Sequence, residues 1–261
     1  MPRLAANISL LFPELPFLDR YEAAAKAGFK AVETLFPYEF DPGEIKSRLD
    51  RYGLTQVLIN TPPGDWNAGE RGIGALPGRE ADFEQSFDKA LAYAKALSCD
   101  KIHVMAGLLP KDADRARCRD VFVANLLKAA AKARPEGVTL LVEPLNTRDF
   151  PGYLHSTNDE AADIIVRTGH AVLLQLDLYH SQIMGGDLAE RTRIFWPLVR
   201  HIQIAGVPGR HEPDVGEINY PYLFDLIDSL GYKGWIGCEY RPKAGTLEGL
   251  GWAKPYGIGG Q

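Results

Sequence analysis

The chain has 261 residues, of which 46% are hydrophobic and 24% charged, a composition that excludes disorder for most of its length. Its formal net charge of −5 disfavours a nucleic-acid partner, because an acidic surface repels phosphate backbones. No apolar run reaches the roughly 20 residues that cross a bilayer, so no membrane partner is expected. Cys99, Cys118 and Cys238 are odd in number and far apart, which favours the reducing cytoplasm.

Short apolar runs recur from one end of the chain to the other. Several are nearly continuous in Val, Ile and Leu, as expected for parallel strands that are buried on both faces. The first run is interrupted by Pro13 and Glu14, too early for a signal peptide. The predicted strands are Leu4–Leu10, Ala31–Phe36, Thr55–Asn60, Lys101–Ala106, Val138–Glu143, Val172–Asp177, His201–Ala205 and Trp235–Glu239.

Amphipathic segments with helical spacing lie between these strands. Glycines at 28, 53 and 231 follow three of them and are typical helix stops. The predicted helices are Phe17–Ala27, Pro42–Tyr52, Glu80–Leu97, Asp120–Ala133, Asn158–Arg167, Leu188–Phe195 and Tyr222–Leu230.

This alternation predicts an α/β protein with a parallel sheet. An open doubly wound sheet is the alternative, but the chain has no GxGxxG after its first strand, where it reads Phe12-Pro13-Glu14-Leu15-Pro16. A (β/α)8 barrel takes about 250 residues. We therefore predict one (β/α)8 TIM barrel over residues 1–252, followed by a mobile, Gly-rich tail at 253–261.

Four consecutive predicted strands end in, or carry, an oxygen-bearing side chain. In a barrel, such residues meet at the carboxyl ends of the strands, where active sites form. Each residue alone also fits a loop cap or an interior hydrogen bond. Together, three carboxylates need a cation or raised pKa values, and an all-oxygen set suits Mg²⁺ or Mn²⁺. The predicted metal ligands are Glu143, Asp177, Gln203 and Glu239.

Further polar residues lie where loops are expected to cover this end of the barrel. One long loop follows the third strand and is rich in Gly and Pro, which is typical of a lid. A second loop follows the seventh strand and carries cationic groups that suit an anionic substrate. Solvated loops and an interior histidine are the plain alternatives. Glu33 lies within the second strand, either as a partner of the site or as a barrel-filling residue. The predicted substrate-binding residues are Asn60, Trp66, Glu70, Arg71, His103, His180, Arg210 and His211.

The chain resembles the hydroxypyruvate isomerase family, within the xylose-isomerase-like barrels, and is similar to its 2-oxo-tetronate isomerase branch. The resemblance implies that Glu143 and Glu239 are the catalytic acid/base pair and lie at the metal. Related ketose 3-epimerases usually have His where this chain has Gln203. The segments that carry the resemblance are AANISLLF, ETLFPYEF, PPGDWNAGERGIGALPGRE, KIHVMAG, VEPLN, QLDLYH, HIQIAGVPGRHEPDVGEINYPYLF and GWIGCEYRP.

The expected reaction moves a carbonyl between adjacent carbons of a small hydroxy-keto acid through a cis-enediolate. The substrate is hydroxypyruvate, giving tartronate semialdehyde, or 2-oxo-tetronate, giving 3-oxo-tetronate. Three alternatives remain: a ketose 3-epimerase, a metal-dependent endonuclease and a non-catalytic sugar-acid-binding barrel. A homodimer or higher homo-oligomer is the default expectation for such a protein.

Overall fold

The computed structural model describes residues 1–260, and its strands close into one parallel barrel in chain order. The strands are β1 (Arg3–Asn7), β2 (Ala31–Thr34), β3 (Thr55–Asn60), β4 (Lys101–His103), β5 (Thr139–Val142), β6 (Val172–Asp177), β7 (Val199–Ile204) and β8 (Trp235–Cys238). The helices are α1 (Arg20–Lys26), α2 (Pro42–Tyr52), α3 (Glu80–Leu97), α4 (Arg115–Ala133), α5 (Asn158–Arg167), α6 (Leu178–Met184), α7 (Leu188–Phe195), α8 (Tyr220–Ser229) and α9 (Thr246–Gly249). Short 3-10 turns cover Phe17–Asp19, Arg134–Glu136, Trp196–Leu198 and Leu250–Tyr256.

Pairing between the first and last strands closes the sheet. β1 runs parallel to β8, with Arg3 opposite Trp235 and Ala6 opposite Cys238. Each remaining strand pairs in parallel with the next one along the chain. The predicted (β/α)8 barrel is confirmed, and the open doubly wound alternative is wrong.

The helices begin and end where local chemistry favours it. Asp41 accepts hydrogen bonds from two backbone N–H groups of the first turn of α2, and Pro42 occupies the first helical position, where no N–H is needed. Gly53 ends the same helix in a left-handed conformation with φ 63°. The apolar faces of the helices pack against the buried strands, so the sheet lies between the helices and the barrel interior.

Several boundaries differ from the sequence predictions for identifiable reasons. β1 ends at Asn7 rather than Leu10, because the Asn7 side chain accepts from the Ser9 N–H and turns the chain. α4 begins at Arg115, five residues earlier than predicted, because Asp114 caps it. α6 was not predicted; Asp177 both ends β6 and caps this short helix.

The C-terminal segment predicted as a mobile tail packs on the barrel over its described part. Ala253 and Ile258 are buried, and the Gly259 N–H donates to the carbonyl of Ala27. The segment was predicted to be mobile because it is rich in glycine, but its apolar residues pack on the barrel. Gln261 lies outside the described residues. Between residues 1 and 260, no helix is both long and apolar enough to cross a membrane.

Candidate active site

A cavity of about 500 Å³ opens at the carboxyl ends of the barrel strands. Glu143, which follows β5, and Glu239, which follows β8, lie in its wall. Asp177, at the end of β6, is buried beside it. The structure thus brings the three carboxylates to one end of the barrel, as the strand-end pattern predicts.

The three carboxylates are buried, and their negative charges repel one another. Burial, together with the charges of Glu239 and Asp177, holds the pKa of Glu143 well above its usual range. Burial raises the pKa of Asp177 to about 6, against the lowering effect of Arg210. It raises the pKa of Glu239 to about 8, again against Arg210. Such a cluster is expected to retain protons or to bind a cation.

Arg210 supplies a positive charge beside two of these carboxylates. Its Nη2 lies 2.8 Å from Glu239 Oε2 and 3.5 Å from Asp177 Oδ2. Its guanidinium also lies 4.8 Å from the centre of the Tyr179 ring. Burial alone would lower the pKa of Arg210, but the carboxylates around it raise this pKa above its ordinary value. Arg210 is therefore a permanent counter-ion of the site.

Two histidines face the same carboxylates in neutral form. The Asn146 backbone N–H donates to His180 Nδ1 over 3.0 Å, which leaves the proton of the neutral ring on Nε2. That Nε2 lies 3.6 Å from Asp177 Oδ2 and 3.9 Å from Glu143 Oε1. Burial lowers the pKa of His180 and takes that of His103 to about 3. His103 Nδ1 lies 3.3 Å from Glu143 Oε2 without hydrogen-bond alignment.

Part of this cluster fits a divalent metal ion. Glu143, Asp177 and His180 each offer a ligand atom, and these atoms lie within 4.8 Å of one another. Glu143 Oε1 and Asp177 Oδ2 are buried and have no hydrogen-bond partner among residues 1–260. Two buried carboxylate oxygens without a hydrogen bond, beside an imidazole, are a donor set that Mg²⁺, Mn²⁺ or Zn²⁺ accepts.

The other two predicted metal ligands are engaged elsewhere. The amide oxygen of Gln203 accepts from Gln175 Nε2, and Oε2 of Glu239 pairs with Arg210. Their roles at a metal stay predictions. His180, predicted to bind substrate, lines the cavity and also has the geometry of a metal ligand.

The loop that follows β3 forms one wall of the cavity. The guanidinium of Arg71 lies 3.5 Å from the centre of the Trp66 ring, and Trp66 contacts Phe36 with ring centroids 5.6 Å apart. Arg71 Nη1 donates to the carbonyls of Trp66 and Glu70. The predicted substrate-binding residues that line the cavity are Asn60, Trp66, Arg71, His103, His180 and Arg210.

Two predicted substrate-binding residues, Glu70 and His211, do not line the cavity. Glu70 accepts from the Asp65 N–H and from Arg79, so it shapes the loop that carries Arg71. His211 Nδ1 lies 2.8 Å from the carbonyl of Arg241 and joins two loops. Both residues share a loop with a cavity residue, but local hydrogen bonds direct their side chains elsewhere.

Sequence reasoning missed Gln175, which donates to both Glu143 Oε2 and Gln203 Oε1. A signal was present: Gln175 interrupts an apolar strand two residues before Asp177, and side chains at this spacing share a face. Asp149 and Tyr179 were also missed; Tyr179 Oη donates to Asp149 Oδ2 over 2.8 Å, and both line the cavity.

Comparison with known proteins shows the family of this chain. A model of the xylose isomerase-like TIM barrel family matches residues 21–256. A protein of Cupriavidus necator named 2-oxo-tetronate isomerase is 59% identical, with 98% of this chain and 99% of the relative covered. The Escherichia coli protein named hydroxypyruvate isomerase is 42% identical over 98% of this chain and 100% of the relative.

A solved structure from Brucella melitensis, described as an AP endonuclease of family 2, is 52% identical and superposes with a TM-score of 0.96. It covers 98% of this chain and 99% of its own. The family resemblance predicted from the sequence is confirmed. The chain belongs to the xylose isomerase-like TIM barrel family, and it is an isomerase like the relatives from Cupriavidus necator and Escherichia coli.

Proposed function

We propose that the protein moves a carbonyl group between adjacent carbons of a small hydroxy-keto acid, either hydroxypyruvate or 2-oxo-tetronate. The observation that carries the proposal is the pair of buried glutamates, Glu143 and Glu239, which share one cavity with raised pKa values. An enediolate isomerisation needs one carboxylate to accept a proton and a second group to return one. The names of the relatives from Cupriavidus necator and Escherichia coli support the substrate class.

The chain's own residues provide the proton transfers. One glutamate removes the proton from the hydroxyl-bearing carbon, which leaves a cis-enediolate. The other glutamate returns a proton to the former carbonyl carbon, while the hydroxyl proton passes to the former carbonyl oxygen, so the product is an isomer. His180 donates from Nε2 to a substrate oxygen when no metal occupies that nitrogen. A divalent cation held by Glu143, Asp177 and His180 would supply charge stabilisation for the developing oxyanion.

The substrate carboxylate needs a cationic partner separate from the carboxylates of the site. Arg210 is already paired with Glu239 and Asp177. In residues 1–260, no carboxylate oxygen lies within 4 Å of an Arg71 side-chain nitrogen. Stacking on Trp66 and two carbonyl contacts hold this guanidinium in place, which lowers the entropy lost on binding. We therefore assign the substrate carboxylate to Arg71.

The test is an NMR assay in D₂O with hydroxypyruvate and with both enantiomers of 2-oxo-tetronate. Chelator-treated enzyme is measured with no metal, with Mg²⁺ and with Mn²⁺. The expected product carries its carbonyl on the neighbouring carbon and deuterium on the former carbonyl carbon. A product epimeric at C-3 would indicate an epimerase, and binding without turnover of any substrate would indicate a sugar-acid-binding barrel.

The name of the Brucella relative makes an endonuclease a second activity to test. Cleavage of a duplex with an abasic site, measured beside the isomerase assay, would contradict the proposal if it were the faster reaction. The net charge of −5 disfavours that outcome. We also infer a cytoplasmic location, which the three buried free thiols support. A homodimer stays a prediction, which light scattering of the purified protein in solution would test.

A further inference from the structure

A hydrogen-bonded row of side chains runs through the barrel interior beneath the cavity. Glu33 Oε1 accepts from Asn7 Nδ2 over 3.0 Å and from Gln203 Nε2 over 2.7 Å. Gln203 Oε1 in turn accepts from Gln175 Nε2 over 2.6 Å, and the same nitrogen donates to Glu143 Oε2 over 2.9 Å. We call Glu33, Gln203, Gln175 and Glu143 the amide chain. Its members are buried, with at most 4% of any residue exposed.

The chemistry of the two ends determines how both amides in the middle are oriented. Both carboxyl oxygens of Glu33 face N–H donors, so Gln203 directs its NH₂ group toward Glu33. The oxygen of Gln203 then faces Gln175, which donates a hydrogen bond to it from its own NH₂ group. That NH₂ group is the one that reaches Glu143. The orientation at the catalytic glutamate is therefore set from the far end of the chain.

The barrel makes room for Glu33 at this position. His201 Nε2 lies 2.7 Å from Glu33 Oε2, which gives the carboxylate a third partner. β8 carries a glycine opposite: a Cβ at Gly237 would overlap the Glu33 carboxyl group. β2 and β6 shift register at Val32/Glu33 and at Leu174/Gln175, beside two members of the chain. A residue that only filled the barrel interior would not need three hydrogen-bond donors and a glycine opposite its carboxyl group.

We propose that Glu33 is a positioning residue of the isomerisation, acting through Gln203 and Gln175 to hold the carboxylate of Glu143 in its working orientation. The inference rests on the proposed function. Glu33 does not line the cavity, so its loss is expected to lower kcat and to leave KM nearly unchanged.

The test is a double-mutant cycle between Glu33→Asp and Gln175→Leu. Asp keeps the charge but withdraws the acceptor by one methylene from Gln203. Each single change is expected to lower kcat about 10- to 100-fold, as for partners of other catalytic groups, with KM within about threefold. The double variant is expected to be no slower than the slower single variant, because both changes break one chain. Multiplied effects, or an unchanged kcat in Glu33→Asp, would overturn the proposal.

Two further variants separate orientation from charge and from fold. Glu33→Gln keeps an acceptor oxygen for Gln203 and directs its new NH₂ group toward His201 Nε2. That nitrogen can accept the hydrogen bond if the ring proton moves to Nδ1, which has no hydrogen-bond partner among residues 1–260. Most of the kcat is therefore expected to return in Glu33→Gln; a loss as large as in Glu33→Asp would overturn the proposal. Thr34→Val is the matched control, since it deletes a neighbouring buried hydrogen bond to Gln56 outside the chain, and its kcat is expected to stay within about twofold.

A second readout does not depend on turnover. In protein with ¹⁵N-labelled glutamine side chains, the NH₂ resonances of Gln203 and Gln175 are expected to shift together in Glu33→Asp and to stay in place in Thr34→Val. A shift of the Gln203 resonance alone would overturn the coupling. If the wild-type protein turns over none of the proposed substrates, the proposed function fails, while this NMR result still decides whether the amide chain transmits orientation.

Discussion

Glu143, Asp177 and Glu239 show how position in the fold changes the behaviour of one chemical group. All three are buried, and burial is the first cause of each raised pKa. They differ in the partners that offset it. Glu239 lies 2.8 Å from Arg210, whereas Glu143 Oε1 has no hydrogen-bond partner within residues 1–260. An acid/base pair requires two groups of distinct proton affinity, and this difference in hydrogen-bond partners favours it.

Glu143→Gln and Glu239→Gln are each expected to reduce kcat about 100- to 10,000-fold, because an amide neither accepts nor returns a proton at this step. The fold should remain, since Gln has the same shape. The measurement is the isomerase assay together with circular dichroism. Glu190→Gln, at a surface pair with Arg193, is the control and should retain full activity. Near-normal turnover in either site variant would remove that residue from the mechanism.

Arg71→Met is expected to raise KM for hydroxy-keto acids about 10- to 100-fold, which is the value of a charged hydrogen bond to the substrate. The KM for a neutral hydroxyketone, which has no carboxylate, should not change in Arg71→Met. Arg241→Met is the matched control, because Arg241 lines the same cavity but is exposed and does not stack on Trp66. Equal effects on acid and neutral substrates, or a larger effect of Arg241→Met, would contradict the assignment.

At the scale of single elements, the loops that shape the site begin and end at well-capped helices. Thr157 and Glu160 form a reciprocal capping box at the start of α5, directly after the loop that follows Glu143. Asp177 plays two parts, as the last residue of β6 and the cap of α6. As a result, Oδ1 of Asp177 accepts a hydrogen bond from the Tyr179 N–H, and Oδ2 faces His180.

Thr157→Ala is expected to lower the free energy of unfolding by about 1 kcal/mol, because the first turn of α5 loses the acceptor for one N–H group. Denaturant unfolding followed by circular dichroism measures this change. The kcat should stay within about twofold, since the helix start lies outside the cavity. A loss of activity without a loss of stability would show that the loop, rather than the helix, depends on Thr157.

At the scale of the molecule, the closed barrel holds a cluster of like charges that the metal-free protein tolerates only in part. For Glu239 the folded pKa of about 8 exceeds the ordinary carboxyl value, and Asp177 is raised to about 6. Between the unfolded and folded pKa values the native state binds more protons, so stability falls as pH rises. Below this window the extra stability is fully present.

Below about pH 6.5 the buried neutral histidines act in the opposite direction, because their pKa values are lowered on folding. The unfolding midpoint of chelator-treated protein is therefore expected to fall between about pH 6.5 and pH 8, measured by calorimetry across that range. Saturating Mg²⁺ or Mn²⁺ should raise the midpoint most at pH 8, where the carboxylates are ionised. Glu239→Gln should flatten the metal-free pH dependence. A midpoint that rises between about pH 6.5 and pH 8 in the absence of metal would contradict the raised pKa of Glu239.

Much of the fold and part of the site were readable from the linear pattern. The apolar runs and glycine stops place the strands and helices, and strand-end position alone brings Glu143, Asp177 and Glu239 to one end of the barrel. The family segments identify the relatives. These inferences succeed because burial, backbone conformation and barrel geometry act through local residue types and regular spacing.

Only the tertiary structure decided which side chains meet across the barrel. Arg210 lines the cavity, as a substrate-binding residue would, and its loop also carries it onto Glu239 and Asp177, which the sequence did not predict. The amide chain joins Glu33 of β2 to Glu143 beyond β5 through residues of β6 and β7, a contact of four separate strands. Sequence spacing describes neighbours along one element, whereas these contacts depend on barrel closure and strand register. The sequence by itself determined a carboxylate-lined isomerase barrel; the closed sheet decided how those carboxylates are paired and oriented.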